Sequence, residues 1–294
     1  MALAALSQLL EAATTGRYAV GYFEAWDTYS LEAVAEAAEA EHSPVLLGFG
    51  GMMMEPTWLD RFGIEAMGAY GRAIAARLAV PAALILNEVT KWEQACRGLD
   101  AGFDVVMLDT SALPFQQNVE ITRKLVALAH PKGVEVQAEL GRLPTFGDRD
   151  PGEPTDPDHA REFVAATGVD FLAVSVGNVH LQAEGASTID HERVRSIRRE
   201  VPVPLVIHGG SGLSGQAVTA LIKEGIALFH VGTIMKKRFW RAAASGLSTS
   251  AGPRDYQALV GSRRSTDFLV PAKAAVTECV RSLMRLYGSS GKAA

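Results

Sequence analysis

Short apolar runs alternate with amphipathic segments along nearly the whole chain. The runs are rich in Val, Ile, Leu and Ala, which is typical of parallel strands buried on both faces. The segments between them have the apolar periodicity of helices that pack on a sheet by one face. The predicted strands are Tyr18–Phe23, Pro44–Phe49, Pro81–Leu86, Asp104–Asp109, Val134–Leu140, Phe171–Val176, Pro204–His208 and Ala227–Val231. The predicted helices include Ser30–Ala40, Arg61–Leu78, Lys91–Asp100, Asn118–His130, Asp158–Thr167, Asp190–Glu200, Ser214–Glu224 and Pro271–Tyr287.

Glycines mark the ends of several of these helices. Gly102, Gly133, Gly168 and Gly225 each follow a predicted helix and precede a strand, where a helix commonly ends. Eight strands that are each followed by a helix, within 294 residues, predict a (β/α)8 TIM barrel of the α/β class. An open, doubly wound sheet is the alternative. Neither an internal repeat nor a linker is visible, so we expect one domain over residues 1–294.

Composition narrows the class of protein. A formal charge of -5 and a pI near 5.8 argue against nucleic acid or an anionic membrane as a partner. The two cysteines, Cys96 and Cys279, have no CxxC partner, which favours free thiols in a reducing compartment such as the cytoplasm. The first residues lack the basic start of a signal peptide, and no apolar stretch has the length of a membrane span.

Ionisable residues gather at the predicted carboxyl ends of the strands. In a barrel these ends form the ligand-binding face. Buried strand ends seldom carry many ionisable groups unless they bind a cation or transfer protons. Imidazoles together with carboxylates predict a divalent cation, zinc above all, with manganese, iron or cobalt as other choices. The rim comprises Glu24, Gly48, Asn87, Glu88, Asp109, Glu139, His180, His208 and His230.

A glycine-rich turn follows the second of two histidines in this set. His180 comes soon after the run that begins at Phe171, and His208 is followed directly by Gly-Gly-Ser-Gly. Such a turn exposes backbone N–H groups, which bind anions at the start of a helix. The two histidines and the turn therefore favour a metal beside a phosphate. The alternative is that both histidines only cap strands.

Three long motifs carry a resemblance to a known family. They are Ala101-Gly-Phe-Asp-Val-Val-Met-Leu-Asp109-Thr-Ser-Ala-Leu-Pro-Phe-Gln-Gln-Asn118, Ala129-His-Pro-Lys-Gly-Val-Glu-Val-Gln-Ala-Glu139-Leu-Gly141 and Leu205-Val-Ile-His208-Gly-Gly-Ser-Gly212. These motifs are similar to those of the class II, metal-dependent ketose-bisphosphate aldolases, the fructose- and tagatose-bisphosphate aldolases. The resemblance runs essentially over the whole length, from Tyr18 to Tyr287-Gly-Ser-Ser-Gly-Lys.

The resemblance implies metal-binding roles for part of the rim. His180 and His208 match two of the three zinc ligands of the family. Glu139 and Asp109 match carboxylates that hold or support a displaced position of the metal. In the mechanism that the resemblance implies, the metal polarises a ketone, a base on a mobile loop removes a proton, and an enediolate attacks an aldehyde.

The resemblance also implies a phosphate site and a catalytic loop. Gly209, Gly210 and Ser211 match the turn whose amides bind a substrate phosphate, and Gly232 and Thr233 match the turn of the last strand that joins it. The corresponding catalytic loop contains Asp148, Asp150 and Glu153 here. Asp148 is the candidate for the loop base.

Several rim residues depart from the family pattern. Asn87 stands in place of an aspartate that exchanges a proton, and Glu88 stands in place of the third zinc histidine. His230 replaces an asparagine in the last strand and Glu24 replaces one near the first, while Gly50 begins a Gly-Gly-Met segment in place of Ser-Glu-Gly. We expect Glu88 to complete a His-His-Glu metal set. We also expect His230 to supply the acid–base function that an amide lacks.

These departures predict a divergent enzyme that does not carry out standard fructose-bisphosphate cleavage. The expected activity is that of a lyase that makes or breaks a C–C bond through a metal-stabilised enediolate of a phosphorylated or anionic ketose-like substrate. Glu24 and Gly50 are expected among its substrate contacts. One alternative is an isomerase, epimerase or decarboxylase with the same metal chemistry, and another is a catalytically silent homologue. The resemblance implies a sugar-phosphate-like small molecule as partner and a homodimer or homotetramer.

Overall fold

Eight parallel strands close into a barrel in chain order, β1 to β8, in a computed structural model that describes residues 3–182, 184–248 and 255–293. The predicted TIM barrel is therefore confirmed, and the open doubly wound sheet is excluded by the pairing of β1 with β8. The strands are β1 Val20–Phe23, β2 Val45–Gly50, β3 Ala82–Val89, β4 Val105–Leu108, β5 Glu135–Leu140, β6 Phe171–Val174, β7 Leu205–Ile207 and β8 Ile226–Val231.

Helices surround the barrel. They are α1 Leu6–Gly16, α2 Thr28–Ala40, α3 Pro56–Trp58, α4 Ile64–Ala75, α5 Trp92–Gly98, α6 Phe115–Ala129, α7 Pro157–Thr167, α8 His191–Glu200, α9 Gly215–Lys223, α10 Thr233–Ser248, α11 Tyr256–Leu259 and α12 Val270–Tyr287. The predicted helix Arg61–Leu78 is shorter in the structure, because a wider π-helical turn, Leu59–Gly63, interrupts its start. Within the described ranges, no helix is long and apolar enough to cross a membrane.

Two apolar layers hold the fold together. One fills the barrel with inward-facing strand residues such as Ile85 and Leu228, and the other lies between the strands and the outer helices. α1 closes the amino-terminal end of the barrel: Leu6 and Leu10 are fully buried in the inner layer, and the Leu6 amide donates to Oε2 of Glu135 at 2.8 Å. Burial of each leucine contributes about 2 kcal/mol. With this end closed, the carboxyl ends of the strands form the open face.

Close backbone packing at Gly48 joins β2 to β3. A Cβ at Gly48 would lie 2.1 Å from the carbonyl oxygen of Ile85 and 2.6 Å from its Cγ2. Both contacts are far shorter than a van der Waals separation. Gly48 is thus a position where the barrel leaves no room for a side chain.

We expect Gly48→Ala to lower the free energy of unfolding by about 3 kcal/mol, because the added methyl must push two paired strands apart. The control is Gly133→Ala: its Cβ would meet nothing within 4 Å, and only its left-handed φ of +71° would cost energy, about 1 kcal/mol. Denaturant unfolding followed by circular dichroism measures both. An equal loss in the two variants would contradict the packing argument.

Candidate functional site

Four side chains from four parts of the barrel rim converge on one point. Glu88, Glu139, His180 and His208 each offer a ligand atom, and these atoms all lie within 4.8 Å of one another. Nδ1 of His208 is 2.9 Å from Oε2 of Glu139 and 3.1 Å from Oε1 of Glu88, and Nε2 of His180 is 3.2 Å from the same Glu88 oxygen. Here these four residues are called the cluster.

An irregularity in β3 places Glu88 in the cluster. The register between β3 and β4 shifts between Leu86 and Val89, and Glu88 has a left-handed φ of +50°. Successive residues of a regular strand point to opposite faces. The shift allows both Asn87 and Glu88 to line the same cavity, and Nδ2 of Asn87 donates to Oε2 of Glu88 at 2.7 Å. Strain of this kind persists where surrounding contacts hold it, often at functional sites.

His180 lies in a loop, six residues after β6 ends at Val174. Its backbone is bound on both sides to another loop: its amide donates to the carbonyl of Pro144, and its carbonyl accepts from the amide of Phe146, each at 2.9 Å. Leu181, the next residue, has a left-handed φ of +55°. The segment that contains residues 144–146 therefore positions a cluster residue, although it is distant in sequence.

Charge pairing holds the cluster together in the metal-free protein. Burial raises the pKa of Glu88, but the neighbouring His208 and His180 outweigh burial and hold it well below its usual value. Burial lowers the pKa of His208, but the carboxylates of Glu88 and Glu139 outweigh it and raise the pKa to about 10. The imidazole of His208 is thus protonated at neutral pH when no cation replaces its proton. A divalent cation would take over the neutralisation of the two carboxylates.

The ligand atoms of the cluster are better arranged for binding a metal ion than for hydrogen bonds to one another. Nδ1 of His208 and Oε2 of Glu139 are buried and only 2.9 Å apart, yet neither has an aligned hydrogen-bond partner within the described ranges. Such atoms approach closely because they point at a common centre. Two imidazoles and two carboxylates are also a donor set that zinc accepts. The residues present therefore fit a divalent metal.

His230 and Glu24 lie beside the cluster on neighbouring strands. The His230 ring stacks on His208 with ring centroids 4.3 Å apart. Burial, helped by the charge of His208, lowers the pKa of His230 well below its usual value, which favours the neutral ring. Burial raises the pKa of Glu24, and an ion pair with Lys236 partly counters that rise.

Two glycines make room for Glu24. A Cβ at Gly232 would lie 2.4 Å from Oε2 of Glu24, and a Cβ at Gly50 would lie 2.9 Å from its Cδ. The sequence departures at positions 24 and 50 therefore belong to one steric arrangement. In its present rotamer the Glu24 carboxyl occupies space that a side chain at either glycine would take.

The glycine-rich turn lies against the start of α10. Gly209 has a left-handed φ of +69°, and Gly210–Gly212 form a short 3-10 turn. Oγ of Ser211 accepts a hydrogen bond from the amide of Ile234 at 3.1 Å. Thr233 is the first residue of α10, where N–H groups have no acceptor within the helix and favour an anion.

Two predicted catalytic carboxylates lie outside the cluster. Oδ1 of Asp109 accepts from both the amide and the hydroxyl of Ser111, at 3.0 and 2.7 Å, and Asp109 lines a separate cavity with Thr90 and Trp92. Asp148 is exposed, and its Oδ1 accepts from the amide of Arg149. A local turn and a solvent-facing loop therefore hold these two groups away from the other rim residues.

Two residues of the site were not predicted from the sequence. Tyr22 lines the cavity next to His230, and Lys236 forms an ion pair with Glu24. A signal existed for Tyr22, since residues two apart along a strand share a face and Glu24 is a predicted rim residue. Lys236 lies one turn into α10, a helix without predicted bounds.

Comparison with known proteins decides the family. The sequence model described as Fructose-bisphosphate aldolase class-II matches residues 4–292. The chain belongs to this family. A fructose-bisphosphate aldolase of Geobacillus stearothermophilus is 33% identical over 297 residues, covering 100% of both chains.

Solved class II aldolase-like structures have the same barrel. The YdjI aldolase of Escherichia coli K12 is similar with a TM-score of 0.83 and 29% identity, covering 99% of this chain and 100% of that one. A putative fructose-1,6-biphosphate aldolase of Coccidioides immitis gives 0.82 and 26%, covering 97% and 96%. The fructose-bisphosphate aldolase of Campylobacter jejuni gives 0.80 at 18% identity, covering 99% and 97%, a likeness in fold alone. This chain is therefore a distant member of a metal-dependent lyase family.

The raised pKa of His208 predicts a pH dependence of stability in the metal-free protein. A pKa that rises from 6.5 in the unfolded chain to about 10 in the folded one gives a contribution that is complete below pH 6.5 and is lost as the pH rises through about 10. We expect the free energy of unfolding of chelator-treated protein to fall across this window. Glu88→Gln should flatten the fall, because it removes one of the two carboxylates that raise the pKa.

Urea denaturation at several pH values in this window measures the effect. The control is Glu224→Gln, which removes a carboxylate from a pair with Arg195 and His191 remote from the cluster and should keep the wild-type profile. Two results would contradict this account of His208: a wild-type free energy of unfolding that does not fall above neutral pH, or a fall that Glu88→Gln leaves unchanged. Either would show that Glu88 and Glu139 do not hold a proton on His208.

Proposed function

We propose that this chain is a divalent-metal-dependent lyase that makes or breaks a C–C bond in a phosphorylated or otherwise anionic ketose-like substrate. We further propose that fructose bisphosphate is not its standard substrate. The observation that carries it is the cluster at the open face of a class II aldolase barrel. Its four groups retain metal-binding chemistry, although Glu88 stands where the family pattern has a histidine. A silent homologue would have no need for this set of converging, buried ligands.

We assign His180, His208 and Glu88 as metal ligands and Glu139 as a fourth or alternate ligand. Their convergence within 4.8 Å supports the assignment, and zinc suits the donor set best, with manganese, iron or cobalt as other choices. When bound, the cation would polarise a substrate carbonyl. Asn87 holds Glu88 in place through its hydrogen bond of 2.7 Å, and as an amide it transfers no proton.

His230 is the proposed proton carrier. The supporting observation is its place in the cavity against His208, and its lowered pKa means that the ring starts neutral and would hold a transferred proton only briefly. Asp148 stays a prediction for the loop base, and it would act only if the segment around residues 142–153 moved over the cavity. An ion pair between Arg142 and Asp150 fixes that segment now. Asp109 stays a prediction for a supporting carboxylate.

The anionic end of the substrate is assigned to the turn Gly209–Ser211 and to Gly232 and Thr233. Glycine allows close approach of backbone amides, and the start of α10 adds a favourable field. The structural support is the hydrogen bond between Ser211 and Ile234, which joins the two halves. Glu24 and Gly50 are proposed to line the remainder of the substrate cavity.

The proposal extends to assembly and location. Trp240 on α10 and Tyr256 on α11 are 70% and 67% exposed, and large exposed aromatic side chains often mark a contact between subunits. This supports a homodimer or homotetramer. Free cysteines, Cys96 and Cys279, support a cytoplasmic location.

The metal and the reaction are tested together. Purified protein should contain one divalent ion per chain by elemental analysis, and it should split some members of a panel of ketose phosphates into two carbonyl fragments. His208→Ala should lose most of the metal and all turnover, because two or three remaining ligands hold zinc weakly. The matched control is His191→Ala, a histidine that pairs with Glu224 outside the cluster and should keep both.

The metal content and the products together distinguish the proposed function from its alternatives. Unchanged metal content in His208→Ala would contradict the ligand assignment. A product of altered connectivity or configuration without a second carbonyl fragment would show an isomerase or epimerase, and release of CO2 from a carboxylated substrate would show a decarboxylase. Absence of bound metal from the wild-type protein would show a silent homologue.

The anion site predicts inhibition by inorganic phosphate in competition with substrate. Thr233→Val, which removes one hydroxyl at the start of α10, should weaken phosphate binding by about three- to tenfold, as measured by calorimetry. Thr219→Val is the control, since the Thr219 hydroxyl donates to the carbonyl of Gly215 on the surface. If phosphate neither inhibits nor binds at this turn in crystals, the substrate is not phosphorylated.

A further inference from the structure

Besides His208 of the cluster, three polar side chains around the cavity have buried atoms without a partner in the described part of the chain. They are the hydroxyl of Tyr22, Oδ1 of Asn87 and both ring nitrogens of His230, none of which has a hydrogen-bond partner among the residues that the structure describes. Tyr22 and Asn87 are each 1% exposed and His230 is 5% exposed. Buried polar groups are normally hydrogen-bonded, since burial without a partner costs free energy. Three exceptions around one cavity therefore point to a ligand.

The strands place these groups side by side. Tyr22 on β1 is the register partner of His230 on β8, and their ring centroids are 4.5 Å apart. Asn87 lies on β3 and lines the same cavity, together with Glu88 and His208 of the cluster. The three groups therefore surround the part of the cavity next to the proposed metal.

Their hydrogen-bonding capacity defines the ligand group. Oδ1 of Asn87, an amide oxygen, only accepts, and the amide nitrogen of this residue already donates one hydrogen to Glu88. Burial raises the pKa of Tyr22, so its hydroxyl keeps its proton and is able to donate. The two ring nitrogens of His230 include at least one donor in either protonation state. A group that both donates and accepts, such as a hydroxyl, satisfies this combination, whereas a carboxylate or phosphate offers Asn87 no donor.

Nearby charge also disfavours an anion at this position. The carboxyl of Glu24 lies two residues after Tyr22, just past the end of β1, and its charge acts on Tyr22. Lys236 is bound by Glu24. An anionic group next to Tyr22 would therefore meet a buried carboxylate whose counter-ion is already engaged.

We propose that Tyr22, Asn87 and His230 form a neutral subsite that binds an uncharged hydroxyl group of the substrate beside the cluster, with Tyr22 as its specificity-determining residue. This inference rests on the proposed function, since it concerns the portion of a ketose-like substrate that lies next to the metal. It divides the cavity between a neutral, hydroxylated end at β1, β3 and β8 and an anionic end at the turn Gly209–Ser211.

Two small chelators that differ by one hydroxyl test this subsite without turnover. Glycolohydroxamate carries a hydroxymethyl group where acetohydroxamate carries a methyl group, and both bind divalent metals. Each is titrated into protein loaded with Co²⁺, with the visible absorption of the metal as readout. The wild-type protein should bind glycolohydroxamate about three- to tenfold more tightly, the gain from one or two hydrogen bonds. Tyr22→Phe should lose most of that preference and bind acetohydroxamate as before.

A matched control is Tyr287→Phe. Tyr287 is also buried with a hydroxyl that has no partner in the described part of the chain, but its ring packs on Phe229 in the outer layer, at 4.9 Å between centroids. This variant should keep the wild-type preference. If Tyr22→Phe does not fold, the ratio of the two affinities in the wild-type protein still decides.

The outcomes separate this inference from the function on which it rests. Equal affinities of the two chelators for the wild-type protein, or a preference that survives in Tyr22→Phe, would overturn the subsite and leave the metal site intact. Failure of the wild-type protein to bind Co²⁺ would overturn the proposed function and the subsite with it.

Discussion

The site depends on one buried carboxylate, Glu88, and on the left-handed backbone that directs it toward two histidines. A carboxylate buried in this way without a partner would cost several kcal/mol. His180 and His208 compensate by charge, and Asn87 compensates by a hydrogen bond to the second oxygen. Removal of a single member of such a group leaves the others buried and uncompensated, at a cost of about 3–5 kcal/mol. The arrangement is therefore stable only as a unit.

This constraint explains why changes in the rim come in groups. A regular strand would direct Asn87 and Glu88 to opposite faces, so a carboxylate at position 88 reaches the cavity only together with the register shift in β3. The carboxyl of Glu24 likewise occupies space left by glycine at positions 50 and 232, and it is paired with Lys236. Seen this way, the departures from the family pattern replace one set of mutually supporting contacts by another. Random loss of function would have no reason to preserve such complementarity.

Much of the fold follows from local patterns. Buried apolar runs such as that ending at His208 mark strands because both of their faces are covered, and a closed barrel then places all carboxyl ends on one face. That rule was sufficient to bring Glu88, Glu139 and His208 to the same region. The chemistry of imidazoles and of a glycine-rich turn already predicted a metal beside an anion, and the family resemblance added the individual role of each residue.

Other parts of the site depend on tertiary contacts that a linear pattern does not contain. His180 lies well past the end of β6, and its position is fixed by backbone bonds to residues 144 and 146. Asp109 follows β4 as expected, but its carboxyl bonds to Ser111 in a local turn, which draws it away from the cluster. Tyr22 lies within the predicted strand Tyr18–Phe23, and its contact with His230 identifies it as part of the cavity.

The most direct test of the central claim is anomalous diffraction at the zinc absorption edge from crystals of zinc-loaded protein. Our account predicts one strong peak bound by Glu88, His180 and His208, with Zn–O and Zn–N distances of about 2.0–2.2 Å. A peak bound by the two histidines with Glu88 turned away, or no peak between them, would contradict it.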